Sequence, residues 1–120
     1  MRIDEIVDIH KDIMTQCPFS DDNEELKVKR ESFGAGPLKI WMQRLADCAE
    51  ESGTDWIAGT EDITIADLVV WQLLTMIRTN DFSFIPGDYS DTWPKLVKLE
   101  QTVPAHAVVK AWQAHRASKQ

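Results

Sequence analysis

The side chains in this sequence best suited to act as base, nucleophile or metal ligand are His10, His106, His115, Cys17 and Cys48, and they lie far apart along the chain. A zinc protease needs two histidines one helical turn apart, with a glutamate between them to activate water. A serine hydrolase needs its nucleophile in a glycine-flanked elbow. Neither pattern occurs here, and no cysteine–histidine group has metal-ligand spacing, so no metal is expected. Gly34-Ala35-Gly36 has the outline of a phosphate loop, but no strand precedes it and Pro37 follows. That combination reads as a helix break. Taken singly, each histidine reads as packing or surface rather than as a catalytic base.

The most informative spacing is Thr64-Ile65-Ala66-Asp67, which introduces the most apolar run of the chain. A threonine three residues before an acid closes a reciprocal cap. The Thr64 hydroxyl can accept from the backbone N–H of Asp67, and the Asp67 carboxylate reaches back to the amide of Thr64. Ile63 before the cap and Leu68 after it have the spacing of a hydrophobic staple. The four residues together are a device for starting a helix and imply no catalysis.

Stepping outward from that cap, the chain reads as a series of helices. Ile3, Ile6, Val7, His10, Ile13, Met14 and Cys17 recur at steps of three and four, which predicts an amphipathic helix ended by Pro18. The charged stretch from Ser20 to Phe33 predicts a second, largely solvated helix. Leu38, Trp41, Met42, Leu45 and Cys48 or Ala49 mark a third, ended near Gly53. The helix opened by Thr64 carries Ile65, Leu68, Val69, Val70, Trp71, Leu73, Leu74, Met76 and Ile77, leaving almost no polar side. A helix apolar all round belongs at the centre of the fold. Pro94 suits the first turn of a short helix bearing Leu96, Leu99 and Val103. A last helix should turn Val108, Val109 and Trp112 inward before a fraying tail from His115. No segment alternates with period two. The expectation is an all-α bundle of five or six helices around one buried central helix, forming a single domain over residues 1–120.

Composition narrows the functions. The chain has 20 acidic and 13 basic residues, a formal charge of −7, and the basic residues are scattered. That weighs against nucleic acid and against anionic membrane. The five tryptophans have no basic groove beside them, so they read as packing anchors rather than base-stacking platforms. Two cysteines without a CxxC fit a reduced, cytoplasmic setting. The charged N-terminus is no signal peptide, and the longest apolar run is interrupted by Asp67 and Gln72, too short to span a bilayer.

Several motifs in order resemble the C-terminal helical domain of glutathione transferases, in particular the sigma class. "DIMTQCPF" is similar to the end of that domain's first helix. "DWIAGTEDITIADL" resembles its segment of tryptophan, glycine and T-x-A-D cap. "WPKLVKLEQTV" followed by "VVKAW" resembles its last two core helices. Two departures stand out: Gly59 lies five residues before Thr64 where the family has four, and His106-Ala107 replaces the proline that usually opens the last helix.

The resemblance implies roles for individual residues. Asp12 matches an aspartate that reaches across the dimer towards the neighbour's glutathione, where a carboxylate attracts the peptide's ammonium group. Met14 and Phe19 match residues lining the pocket for a small apolar electrophile, and Val69, Leu73 and Met76 match positions closing that pocket from below. Family members also carry a thioredoxin-like domain in cis, which binds most of the glutathione and supplies the residue activating its thiol. No residue here corresponds to that half, and Tyr89 is not a substitute. The expectation is therefore the substrate-pocket half of a glutathione transferase, acting as a homodimer with glutathione as co-substrate and inactive as an isolated chain. The alternatives are a non-enzymatic interaction module, like similar domains in elongation-factor and aminoacyl-tRNA synthetase assemblies, or a carrier of a small apolar ligand. Asp12, Met14 and Phe19 favour the first, whereas the unmatched thioredoxin-like half favours the module.

Overall fold

The computed structural model describes residues 2–82 and 84–118, with side chains for 3–82 and 84–114. Six α-helices follow one another: α1 (Arg2–Gln16), α2 (Asn23–Ala35), α3 (Pro37–Glu51), α4 (Ile65–Arg78), α5 (Pro94–Ala105) and α6 (Ala107–Ser118), with a 3-10 turn at Tyr89–Thr92. No strand occurs among the described residues. Helix α4 packs against α1, α5 and the 3-10 turn, while α3 packs against α1, α2 and α5.

Local chemistry explains the boundaries. Asp22 caps α2 by accepting the amides of Glu24 and Glu25. Gly36 ends α2, and Pro37 takes the first position of α3, where a missing N–H costs nothing. Pro94 does the same for α5. At α4 the reciprocal cap is closed. Thr64 Oγ1 accepts from Ala66 N–H at 3.3 Å, and Asp67 Oδ2 accepts from Thr64 N–H at 3.0 Å. The other carboxylate oxygen is used as well: Asp67 Oδ1 accepts from Ile57 N–H at 2.8 Å. One side chain thus starts α4 and holds the preceding loop against it. That loop turns at Gly59, whose φ of +76° suits glycine and where a Cβ would stand 3.0 Å from the Ser52 carbonyl oxygen.

The core is continuous through the helices. Ile6, Ile9 and Ile13 of α1 meet Leu38, Met42 and Leu45 of α3, Val70, Leu73, Leu74 and Ile77 of α4, and Leu96, Leu99 and Val103 of α5. Polar ties cross it at the edges. Arg44 on α3 pairs with Glu5 on α1. Arg78 at the end of α4 binds Glu100 of α5 through two nitrogens and also Asp91. Trp93 Nε1 donates to Gln43 Oε1 at 2.9 Å.

Five readings of the sequence need correction. Helix α4 is not apolar all round in use: Ile65 is 57% exposed and Leu68 39%, and Gln72 and Thr75 also face outward. Its core face is Ala66, Val70, Leu73, Leu74 and Ile77, with Val69, Trp71 and Met76 half-buried against it, so Ile65 and Leu68 are left uncovered. On α1 the buried stripe runs through Ile9, and Met14 turns outward. On α6 only Val109 is buried among the described residues, while Val108 is 67% and Trp112 51% exposed, because the helix packs on α5 by one edge. The backbone of α6 also stays helical through His115 to Ser118 rather than fraying there. Ile63 is half-buried on the core, but Leu68 is too exposed to clamp it firmly.

Two predictions follow from this packing. Asp67→Ala leaves Ile57 N–H and Thr64 N–H without their acceptor and should lower stability by about 2–4 kcal/mol in urea unfolding. A variant as stable as the parent would show that the cap is dispensable. His10 has its Nε2 buried with no hydrogen-bond partner, and burial lowers its pKa more than its bond to Gln72 raises it. The folded chain therefore protonates His10 at lower pH than the unfolded chain, whose imidazole titrates near about 6.5. Below that pH the unfolded state binds more protons, and stability falls. The urea midpoint should drop between pH 7.5 and pH 5.5, and His10→Leu should shrink that drop; an equal drop in the variant contradicts the assignment.

Candidate functional site

The residues matched to ligand binding lie on α1, just after it, and on α4, two helices that pack against each other. Asp12 lies on the exposed side of α1, and Met14, one turn beyond His10, is 38% exposed. Phe19, three residues past the end of α1, is 74% exposed. On α4, Val69 and Met76 are half-buried against the core. Leu73 is different: it is fully buried. It supports the seam from beneath and forms no wall of an open pocket in this chain. Its placement follows from helical spacing, since it shares the inner face with Val70 and Ile77 while Val69 and Met76 flank that face.

Sequence reasoning missed Ile65 and Leu68 as surface residues. Together with Met14 and Phe19 they make an exposed apolar set on and beside two helices that pack against each other. The signal was present in the surplus of apolar residues on α4, more than one core-facing stripe requires.

The reactive side chains are held in unreactive settings. Burial pushes the Cys17 thiol up, with nearby Arg30 opposing it, so thiolate is scarce. Cys48 is buried. Tyr89 donates its hydroxyl to the Gly34 carbonyl, and burial pushes its pKa up to about 12, the reverse of what thiol activation needs. His10 is enclosed in the α1–α4 seam, His106 bonds Asp62, and His115 lies outside the described side chains. Among the described residues no three histidine, cysteine or acidic side chains stand close enough to hold a metal ion.

A groove of about 550 Å³ opens elsewhere, between the end of α3, the loop after it and the start of α5. Glu50, Asp55, Trp56, Glu61, Lys95 and Lys98 line it. Lys98 Nζ already meets Asp55 Oδ1 at 3.5 Å, and both are well exposed. No nucleophile–base pair lies there, and none of the residues matched to ligand binding lines it. Among the described residues no helix is long and apolar enough to cross a membrane.

No curated protein and no solved structure matches the chain. A family model does: that of the glutathione S-transferase C-terminal domain, over residues 7–116. This span contains all six helices except the first turn of α1 and the last residues of α6, together with the capped start of α4 and the seam beside it. The chain therefore belongs to the glutathione S-transferase C-terminal domain family.

Proposed function

We propose that this domain supplies the electrophile-binding side and a subunit contact of a cytoplasmic, sigma-like glutathione transferase, working with a thioredoxin-like domain that holds glutathione and activates its thiol. The observation that carries the reading is the exposure of Met14, Phe19, Ile65 and Leu68 on and just after α1 and on α4, with the Asp12 carboxylate on the same helix as Met14. Large apolar side chains left exposed on a small domain mark a place for a ligand or another domain. The chemistry assigned to the partner domain is thiolate attack on an apolar electrophile. This domain's part is to bury and orient that electrophile, which lowers the entropic cost of bringing the two reactants together. Asp12 would attract the ammonium end of glutathione. The residues present fit that role, since an exposed carboxylate on a helix is free to meet a peptide from another subunit.

A helical interaction module is the second reading, and Val28 and Ile40 favour it, because both are exposed apolar residues on α2 and α3, away from the seam. The two readings separate in one assay. Residues 1–120 alone should give no turnover with glutathione and an aromatic electrophile such as 1-chloro-2,4-dinitrobenzene. The domain joined to a glutathione-holding thioredoxin-like domain should conjugate. In that protein Phe19→Ser should raise KM for the electrophile several-fold, and Asp12→Ala should raise KM for glutathione with little change in kcat. A joined protein that folds, binds glutathione and never conjugates would favour the module.

Self-association is the second expected consequence. The uncovered surface near α1 should pair two copies of the chain as a two-fold dimer. The net charge of −7 opposes pairing, so association should tighten as salt screens the repulsion. Sedimentation at low and high salt measures this directly; a strict monomer in both at high protein concentration contradicts the dimer.

A further inference from the structure

Helix α6 opens without serine, threonine, aspartate or asparagine at its N-cap; His106 stands there, with extended backbone angles of −67° and 137°. Its ring does the work of a cap. His106 Nδ1 accepts from Val108 N–H at 3.1 Å. The other nitrogen, Nε2, lies 2.8 Å from Asp62 Oδ1, across 44 residues of sequence. A neutral imidazole has one donor and one acceptor. Since Nδ1 must accept from the amide, Nε2 carries the proton and donates it to Asp62. Only this tautomer satisfies both bonds. The ring is mostly enclosed and meets the edge of Trp56 with centroids 5.6 Å apart.

We propose that His106 is a pH-dependent clasp at the α5–α6 junction: neutral, it caps α6 and holds Asp62; protonated, it gives up the cap and keeps Asp62. The added proton goes onto Nδ1, which then points an N–H at the N–H of Val108. Two donors face each other with no acceptor, and the first turn of α6 loses its partner. The opposite side of the ring gains, because Nε2–H to Asp62 becomes an ion pair. Asp62 is held below the usual carboxylate range, first by the Ile63 amide and then by His106, so it stays ionised while the imidazole titrates.

The surroundings leave these two bonds to decide the outcome. From the loop before α4, Asp62 is the charged group facing the ring and Trp56 is its uncharged neighbour. On α6 the nearest charged residue is Lys110, one turn on, whose amide bonds the His106 carbonyl at 3.0 Å. The last turn of α5 contributes Thr102, Val103 and Pro104, which carry no charge. With only Val109 buried among its described residues, α6 has little packing to replace a lost cap. Acid therefore loosens the start of α6 while the loop carrying Asp62 remains tied.

Amide hydrogen exchange of the 120-residue chain, followed by NMR and corrected for intrinsic rates, tests the clasp. Between pH 7.5 and pH 5, Val108 protection should fall by about three- to tenfold, with its midpoint at the His106 ring titration read from the Cε1 proton. His106→Asn provides an uncharged cap acceptor and should make Val108 protection independent of pH. Asp62→Asn should keep the cap at neutral pH and still lose Val108 protection in acid, because the cap depends on Nδ1 alone. Three results overturn the proposal. They are flat Val108 protection in the parent, the same pH dependence in His106→Asn, or nitrogen shifts placing the neutral ring's proton on Nδ1.

Discussion

The carboxylate of Asp67 is the interaction on which the rest of the domain depends. It is fully buried, and burial alone would strongly favour its neutral form; the amides of Ile57 and Thr64 and the Thr64 hydroxyl act against that, leaving its pKa raised. A charge in such a place persists only when donors meet both oxygens. Here the donors come from two directions, so one side chain fixes both where α4 begins and where the chain before it must run. The tie at Ile57 sets the loop that carries Asp62, and Asp62 in turn reaches His106 at the start of α6. Three segments separated in sequence are thus placed by two carboxylates.

Fixing the start of α4 also fixes its rotation. Leu73 and Ile77 go into the core, and Ile65 and Leu68 come out to the surface. The rigid part of the domain and its open apolar surface are two faces of the same helix. A surface intended for a ligand or another domain gains from this arrangement, since little ordering cost remains when the partner arrives. The reactive groups show the complementary pattern. Cys17 is made less acidic, the Tyr89 hydroxyl is committed to a carbonyl, and neither stands at the exposed seam as an activated nucleophile. What the domain offers is shape and apolar surface, in keeping with its family.

Much of the fold was legible because its signals are local. The cap at Thr64 and Asp67, the helix break at Gly36-Pro37, the proline at the start of α5, and the spacing of Ile6, Ile13, Leu38, Met42 and Leu45 each report on a few neighbouring residues. The bond from Asp67 to Ile57 was not legible, since nothing in a capping pattern says that the second oxygen will be used ten residues upstream. The outward turn of Val108 and Trp112 was missed for a related reason: apolar spacing identifies a stripe, but only packing on α5 decides how much of it is covered. Histidine at a cap position also gives no warning in sequence, because its role depends on which nitrogen finds Asp62. For the site, family motifs pointed to Asp12, Met14 and Phe19, which the fold leaves exposed, whereas Leu73 shows that a matched position can belong wholly to the core.

Native-state hydrogen exchange at Ile57 tests the organising role of Asp67 most directly, because that amide lies in a loop and has a buried carboxylate as its acceptor. If the carboxylate ties loop and helix into one cooperative unit, Ile57 N–H will open with the same free energy as the amides of Val70 and Leu73 in the centre of α4, and will respond equally to denaturant. Exchange of Ile57 through a small, denaturant-insensitive opening, while α4 stays protected, would show that the loop moves independently and that Asp67 does no more than cap its own helix.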